Sequence, residues 1–159
     1  MEQVLKDGTV MTFTNIGTDR YTSRDVYLSD QFLPKEFQMH STMSATDWKA
    51  SDLRKNLDFY LLENFDKEFI KKLKPDVNGD IISIPSIEEL FSPAYDDIFI
   101  DVEKIKDTYH NPLRELGGIY WLKNNLPNIP GMFCTCCSLG GQDVQVQTNY
   151  ENVRVRFLL

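Results

Sequence analysis

The fold of this chain depends most on residues 121–158, which read WLKNNLPNIPGMFCTCCSLGGQDVQVQTNYENVRVRFL. Apolar and polar side chains alternate along short runs of this stretch, and a period of two indicates strands with one buried face and one polar face. Glycine-rich and asparagine-rich segments separate the runs, as is typical of tight turns. The stretch therefore predicts a tryptophan anchor, a polar loop and a C-terminal β-meander with strands at residues 134–139, 143–148 and 153–158.

The alternation also predicts which side chains of the meander face away from the core. In its second strand the polar positions are Gln145 and Gln147, and in its third strand they are Arg154 and Arg156. Side chains two residues apart on a strand share a face. We therefore expect these four side chains on the polar face of the sheet.

Strands and short helices are predicted upstream of the meander. Ser51 is a good helix N-cap, and leucines at positions 53, 57 and 61 follow it at helical spacing. Ser86 with Glu89 forms a capping box, which predicts a brief helix at residues 87–91. The remaining predictions are strands at residues 9–16, 25–29 and 81–84, a loop at 35–47, a short helix at 66–73, an apolar patch at 98–100 and a helix at 101–109 that ends before Pro112.

Bulk composition describes one folded unit that spans residues 1–159. The chain is 42% hydrophobic and 26% charged, which is typical of a folded domain. Its net charge of -7 argues against a nucleic-acid partner, which would need a basic stripe. The N-terminal sequence lacks the pattern of a signal peptide, and the absence of a long apolar run predicts no membrane insertion. The predicted class is α+β, with short helices packed on small antiparallel sheets.

The cysteines Cys134, Cys136 and Cys137 are the residues that most suggest metal chemistry. Two thiolates on one face of a strand could hold Cu(I). A zinc site needs further ligands, and the only histidines, His40 and His110, do not have metal-ligand spacing. Unpaired cysteine is more often a buried core residue. We therefore expect reduced, packed thiols, with no metal and no cofactor.

Other catalytic patterns are weak. The carboxylate pairs at residues 88–89 and 96–97 are adjacent in sequence, which fits a helix start and a solvated loop. No glycine-rich phosphate loop is present. Two histidines in loops without a pattern give little support for a nucleophile and its base. The sequence therefore predicts a protein that is not an enzyme.

Binding has more support, because amides and a phenol cluster in sequence around a tryptophan. Amides pair as donor and acceptor, and rings offer flat apolar area, so such groups suit hydroxyl-rich or peptide ligands. The alternative interpretation is that they are ordinary polar residues of turns and sheet edges. The candidate ligand-binding residues are Trp121, Asn124, Asn125, Asn128, Gln145, Gln147 and Tyr150.

Four segments in order resemble the motifs of a bacterial and phage family of domains of unknown function. Residues 48–54, WKASDLR, resemble its W-x-x-S-D-x-R motif, and residues 80–89 resemble its D-x-I-x-L-x-S-x-x-E segment. Residues 120–123, YWLK, resemble its Y-W-L-R motif, and residues 152–155, NVRV, resemble its G-V-R-P motif. The resemblance covers roughly residues 25–159.

This resemblance implies a C-type-lectin-like fold, in which the C-terminal meander and the loop after the tryptophan present the ligand surface. It also implies structural roles. Trp48 would pack the start of the main helix on the core, Asp52 and Arg54 would fix the N-terminus of that helix, and Trp121 and Arg154 would anchor the sheet. The calcium motifs of carbohydrate-binding lectins are not present in the sequence, so calcium-dependent sugar binding is not implied.

The expected function is a non-enzymatic binding or attachment module, a structural protein of a phage or phage-like virion made in the cytoplasm without a signal peptide. Its expected partners are a cell-surface glycan or protein, or other virion proteins, and we expect a homo-oligomer or a part of a larger assembly. One alternative is a purely structural decoration or assembly protein. A second is a copper oxidase of the formylglycine-generating type, in which Cys134 and either Cys136 or Cys137 hold the metal.

Overall fold

The computed structural model of the chain describes residues 1–91, 114–126 and 128–159. Within these ranges the protein is a mixed structure of small antiparallel sheets and a few short helices, which confirms the coarse α+β prediction. None of the helices in these ranges is long and apolar enough to cross a membrane. Several predicted features lie outside the described residues, namely Asp96 and Asp97, the apolar patch at 98–100, the helix at 101–109, His110 and Pro112.

Strands precede and follow the helices along the chain. The strands before the helices are β1 (Glu2–Val4), β2 (Val10–Thr18), β3 (Asp25–Ser29) and β4 (Phe37–Gln38). The helices are α1 (Asp52–Asn64), α2 (Lys67–Ile70) and α3 (Ile87–Leu90), and the later strands are β5 (Tyr120–Asn125), β6 (Met132–Cys136), β7 (Gln142–Val146), β8 (Tyr150–Glu151) and β9 (Arg156–Leu158).

The described strands form three antiparallel sheets, and the chain returns at its end to the first of them. The sheet orders are β1-β2-β3-β9, β4-β8 and β5-β6-β7. In the first sheet Tyr27 of β3 pairs with Phe157 of β9, and Arg156 forms a bridge with Ser83. The prediction that residues 153–158 form the third strand of the meander is therefore wrong. The meander consists of β5, β6 and β7. Strand β5 forms where the sequence predicts the start of a polar loop.

The helix starts follow their local sequence signals. The side chain of Ser51 accepts a hydrogen bond from the backbone N–H of Arg54, and the leucines at 53, 57 and 61 are buried. The capping box of Ser86 and Glu89 is present at the start of α3. These N-terminal signals are confirmed. The run at residues 81–84 is not a strand, since Ser83 makes only an isolated bridge there, and the predicted loop at 35–47 contains the short strand β4.

The predicted polar face of the meander is largely buried. Gln147 is fully buried, and Arg154 and Arg156 are almost fully buried. Each finds hydrogen-bond acceptors on a distant segment, such as the Ser29 carbonyl that accepts from Arg154 Nε at 2.8 Å. Buried polar groups are tolerated when they are hydrogen-bonded, so the alternation of polar and apolar residues does not separate solvent from core here. The prediction that these three side chains face solvent is wrong.

The β5-β6-β7 sheet separates two hydrophobic clusters. Side chains on both faces of β5 and β6 are buried, so these two strands form a packed support, whereas β7 is partly exposed. The larger cluster contains Trp121 and Phe133, whose rings meet edge to face with centroids 6.5 Å apart. The smaller cluster contains Tyr120, Leu122, Cys134 and Cys136, together with Leu28 and the apolar residues of α3.

Candidate functional site

A cleft of about 610 Å³ opens between the β2–β3 loop, the turn at residues 76–78 and the start of α3. Its volume lies in the range of small-molecule sites. One residue of β5, Lys123, and one residue of β9, Arg156, form its floor. The walls and rim include Gly17, Asp19, Tyr21, Asp76, Val77, Asn78, Glu88 and Glu89.

A buried arginine sits at the bottom of this cleft among three carboxylates. Arg156 donates from Nε to Glu89 at 2.5 Å, from Nη1 to Asp76 at 3.2 Å and from Nη2 to Asp19 at 3.1 Å. Its side chain is only 3% exposed. A buried charge of this kind needs partners with good geometry to offset its desolvation. The three acids supply them from three separate segments, so Arg156 fastens the cleft walls together.

Asp76 uses all of its acceptor capacity inside the protein. Its Oδ1 accepts from the backbone N–H groups of Asn78 at 2.7 Å and Asp80 at 3.1 Å. Its Oδ2 accepts from Lys123 Nζ at 2.8 Å and from Arg156. An ionised carboxylate has about four acceptor positions, so Asp76 holds the floor and has no position left for a ligand.

Asp19 shapes the rim of the cleft. Its Oδ1 accepts from the backbone N–H groups of Tyr21 at 3.0 Å and Thr22 at 2.7 Å. These bonds form a local turn that presents the Tyr21 ring, which is 62% exposed, with the Arg20 guanidinium 4.9 Å from its centroid. Across the opening Val77 is 61% exposed. The cleft therefore has a charged floor and an apolar rim.

The pKa values of Asp19 and Asp76 are both lowered. Burial raises each pKa, but other contributions outweigh it. For Asp19 these are the hydrogen bonds from Thr22 and Tyr21 and the charge of Arg156. For Asp76 they are the charge and hydrogen bond of Lys123 and the backbone bonds of Asn78 and Asp80. Both carboxylates are therefore ionised at neutral pH, which does not suit a general acid.

These lowered pKa values predict acid sensitivity. A carboxyl whose folded pKa lies below its unfolded value contributes stability above the unfolded pKa and loses it as pH falls through the folded pKa. We expect the free energy of unfolding to be constant at neutral pH and to fall from about pH 5 downwards. Urea denaturation at a series of pH values measures this. The variant Asp19→Asn should show a shallower decline, and equal slopes in both proteins would contradict the prediction.

A second polar cluster joins the start of α1 to the cleft wall. Asp80 accepts from the indole Nε1 of Trp48 at 2.6 Å and from Arg54 Nε at 2.5 Å. The Lys123 ammonium lies 5.7 Å from the centre of the Trp48 ring. Asp52 instead accepts from the backbone N–H of Ser41 at 2.9 Å, so it holds the preceding loop. Trp48 and Arg54 therefore meet at Asp80, while Asp52 acts elsewhere.

Three of the predicted ligand-binding residues are tied within the protein. Trp121 is fully buried and donates from Nε1 to the Phe37 carbonyl at 2.7 Å. Asn124 accepts from the N–H of Ile87 at 2.9 Å and so helps cap α3. Gln147 is fully buried and donates from Nε2 to the carbonyls of residues 42 and 44. The structure gives these side chains internal partners, and it does not bring Trp121 or Gln147 to the surface.

The other predicted residues lie at or near the surface. Asn125, Asn128 and Tyr150 are exposed. Gln145 is half-buried and accepts from Asn149 Nδ2 at 3.0 Å. Tyr150, at 62% exposure, is the most accessible ring among the predicted ligand residues.

Gln147 brings a further loop to this surface. Residues 42 and 44 are held by its amide, and its own N–H donates to the Gly131 carbonyl at 2.8 Å. Between them Met43 packs so closely that a Cβ on Gly131 would lie 3.0 Å from its methyl group. Met43 is nevertheless 56% exposed. We call the exposed set Met43, Asn128, Ile129, Asn149 and Tyr150 the recognition surface.

Sequence reasoning missed Met43, Ile129 and the whole charged cleft. One local signal was available for the cleft, because the run DVNGD at residues 76–80 fits an aspartate that bonds its own backbone ahead of a glycine turn. The partners of that aspartate are far away in sequence, with Arg156 80 residues from Asp76. Contacts between residues so far apart in the chain leave no pattern in the local sequence.

Cys134 and Cys136 are packed in the core, and burial raises the pKa of both thiols. Burial raises the pKa of Cys134 to about 12 and that of Cys136 to about 11. The thiolate is the form that binds soft metals and attacks electrophiles. Both buried side chains therefore resist these reactions, whereas Cys137 is half-exposed.

This burial predicts unequal thiol reactivity. With an aromatic disulfide reagent near pH 8, we expect one thiol, Cys137, to react fast in the native protein and all three to react fast in denaturant. The variant Cys137→Ser should lose the fast native phase. Fast native reaction of the Cys137→Ser protein would contradict the expected protection of Cys134 and Cys136.

Among residues 1–91, 114–126 and 128–159 there is no group of three or more histidine, cysteine, aspartate or glutamate side chains arranged to hold a metal ion. No protein-family model, curated protein or solved structure matches the chain.

Proposed function

We propose that the protein is a non-enzymatic binding module with a C-type-lectin-like fold, displayed on a phage or phage-like virion. Its ligand-binding face is the recognition surface, and its partner is a cell-surface glycan or protein. The order of the four sequence motifs supports the fold and the virion setting. The small antiparallel sheets, the short helices and the terminal strand that returns to the first sheet are compatible with that fold.

The observation that carries the binding role is the attachment made by Gln147. Its buried amide bonds the carbonyls of residues 42 and 44, about 100 residues earlier in the chain. This attachment holds a polar loop against the β5-β6-β7 sheet, in which β5 and β6 carry buried side chains on both faces. Recognition residues are commonly found on loops positioned by a rigid scaffold. The exposed Tyr150 ring and Met43 thioether then supply adaptable apolar contact area beside amides.

The described polar clusters also support a role without catalysis. The carboxylates of Asp19, Asp76 and Glu89 are bonded to Arg156, and the pKa values of Asp19 and Asp76 are lowered. The pKa values of Cys134 and Cys136 are raised, so neither is an activated nucleophile. These carboxylates and thiols are therefore suited to stabilising the fold rather than to catalysis.

A binding assay with matched variants tests the proposal. The purified chain is applied to a glycan array and to whole bacterial cells, and Tyr150→Ala and Met43→Ala are compared with Phe59→Ala. Phe59 is an exposed ring on α1 that belongs neither to the recognition surface nor to the cleft lining. We expect binding that falls at least about fivefold in the first two variants only. Binding that all three variants retain would contradict this surface.

The nearest alternative is a decoration or assembly protein, and one observation favours it. Met43, Ile129 and Tyr150 are all at least half exposed, and exposed apolar side chains are common at protein contacts. Light scattering separates the two roles. An oligomer that dissociates in Met43→Ala and Tyr150→Ala, with no glycan or cell binding, would assign the surface to assembly rather than to attachment.

A further inference from the structure

We propose that the charged cleft is a calcium-independent binding site for a hydroxyl-rich ligand, such as a single sugar ring. The cleft shares no residue with the recognition surface, so this site is separate from the one proposed above. Either proposal can fail while the other holds.

The floor offers donors and acceptors side by side. Within the described residues, Lys123 Nζ makes one hydrogen bond, to Asp76, so two of its three N–H groups remain for a ligand. Asp19 Oδ2 accepts one bond there, from Arg156, and Glu88 at the rim is exposed. A hydroxyl group donates once and accepts twice. Adjacent hydroxyls can therefore bridge a lysine donor and a carboxylate acceptor.

The charges of the floor nearly cancel, which disfavours a strongly charged ligand. Asp19, Asp76 and Glu89 surround Arg156 and Lys123, and the two cations pair with these acids at 2.5–3.2 Å. With Glu88 and Arg20 included, the cleft lining carries four carboxylates and three cationic side chains. An anion would meet the carboxylates, and a cation would meet the positive groups. A neutral ligand with many hydroxyls meets neither repulsion.

The rim has the shape and chemistry for the apolar face of a ring. Tyr21 and Val77 flank the opening and are both more than half exposed. The Tyr21 backbone N–H is held by Asp19, so this part of the rim is anchored next to the floor of the cleft. An aromatic ring that stacks on the C–H face of a sugar, above a polar floor, leaves both faces of the ligand satisfied.

The site is tested by nuclear magnetic resonance titration of the isotope-labelled full chain. D-galactose, D-mannose and N-acetyl-D-glucosamine are added in the presence of a calcium chelator, and L-arginine amide and inorganic phosphate serve as charged comparison probes. The Trp48 indole N–H reports on the cleft, because Lys123 lies over its ring. The Trp121 indole N–H bonds the Phe37 carbonyl, and Trp121 does not line the cleft.

We expect at least one sugar to shift the Trp48 indole and Lys123 amide signals to saturation, with a Kd of about a millimolar, and to leave the Trp121 signal in place. Tyr21→Ala should weaken this binding at least about fivefold. Phe59→Ala, which also removes an exposed ring, should not change it. Tyr21 is exposed, so its loss does not disturb the core.

Three results would overturn the proposal. The first is the absence of saturable shifts with all three sugars. The second is binding that Tyr21→Ala leaves unchanged, because the ligand then lies outside the cleft. The third is saturation by L-arginine amide or phosphate without any response to sugars, which would assign the cleft to a charged ligand.

Discussion

Replacement of Arg156 by methionine is expected to lower the free energy of unfolding by about 3–5 kcal/mol, as is typical when one partner of a buried ion pair is removed. The methionine fills much of the same volume but carries no charge. Asp19, Asp76 and Glu89 would then lose their shared cation, and Lys123 would be the one cation still paired with Asp76 among the described residues. The reason for the large effect is the uncompensated buried negative charge, rather than the loss of attraction alone.

Urea denaturation followed by fluorescence measures this change. Lys71→Met is the matched control, because Lys71 pairs with Glu68 on the surface, where both side chains are about 70% exposed. Exposed pairs contribute little, so the control should unfold close to the parent protein. If the two variants unfold at similar urea concentrations, the cleft network does not stabilise the fold.

Replacement of Trp121 by alanine is the second change with a large expected effect, a loss of about 3–5 kcal/mol of folding free energy. The ring is fully buried against Phe133, and its Nε1 satisfies the Phe37 carbonyl. Alanine leaves a cavity and an unpaired carbonyl, and both are costly. The outcome separates the structural role from the ligand contact that the sequence predicts for this residue.

Tyr150→Ala provides the comparison, since Tyr150 is an exposed aromatic residue among the same predicted ligand groups. Its stability should change by no more than about 0.5 kcal/mol. Thermal denaturation of both variants, together with cell binding, distinguishes the roles. A stable Trp121→Ala protein that loses binding would show that Trp121 contacts the ligand after all.

Local features of this chain could be predicted from sequence because a few neighbouring residues determine them. Ser51 caps α1 through the N–H three residues later, and Ser86 with Glu89 forms a complete capping box. The strand at Asp25–Ser29 was located by its apolar run. In each case the residues that determine the feature lie within a few positions of one another in the sequence.

The wrong predictions about burial concern polar residues whose partners are distant in sequence. Gln147 and Arg154 alternate with apolar residues, so the pattern places them in solvent. Their acceptors are backbone carbonyls 103 and 125 residues away. Those bonds reduce the cost of burial, and no local pattern reports them. For the same reason the sequence did not predict the cleft, whose acids come from three separate segments.

During synthesis on the ribosome, β9 is made long after β3, the strand with which it pairs in the first sheet. The bond between Arg156 and Asp19 joins residues 137 positions apart. At about 5–20 residues per second, a ribosome needs about 7 to 27 seconds to cover that distance. During this interval β3 is an open sheet edge, and Asp19 and Asp76 lack their shared cation. We therefore expect β3 to be open to strand exchange with neighbouring chains until β9 has been made.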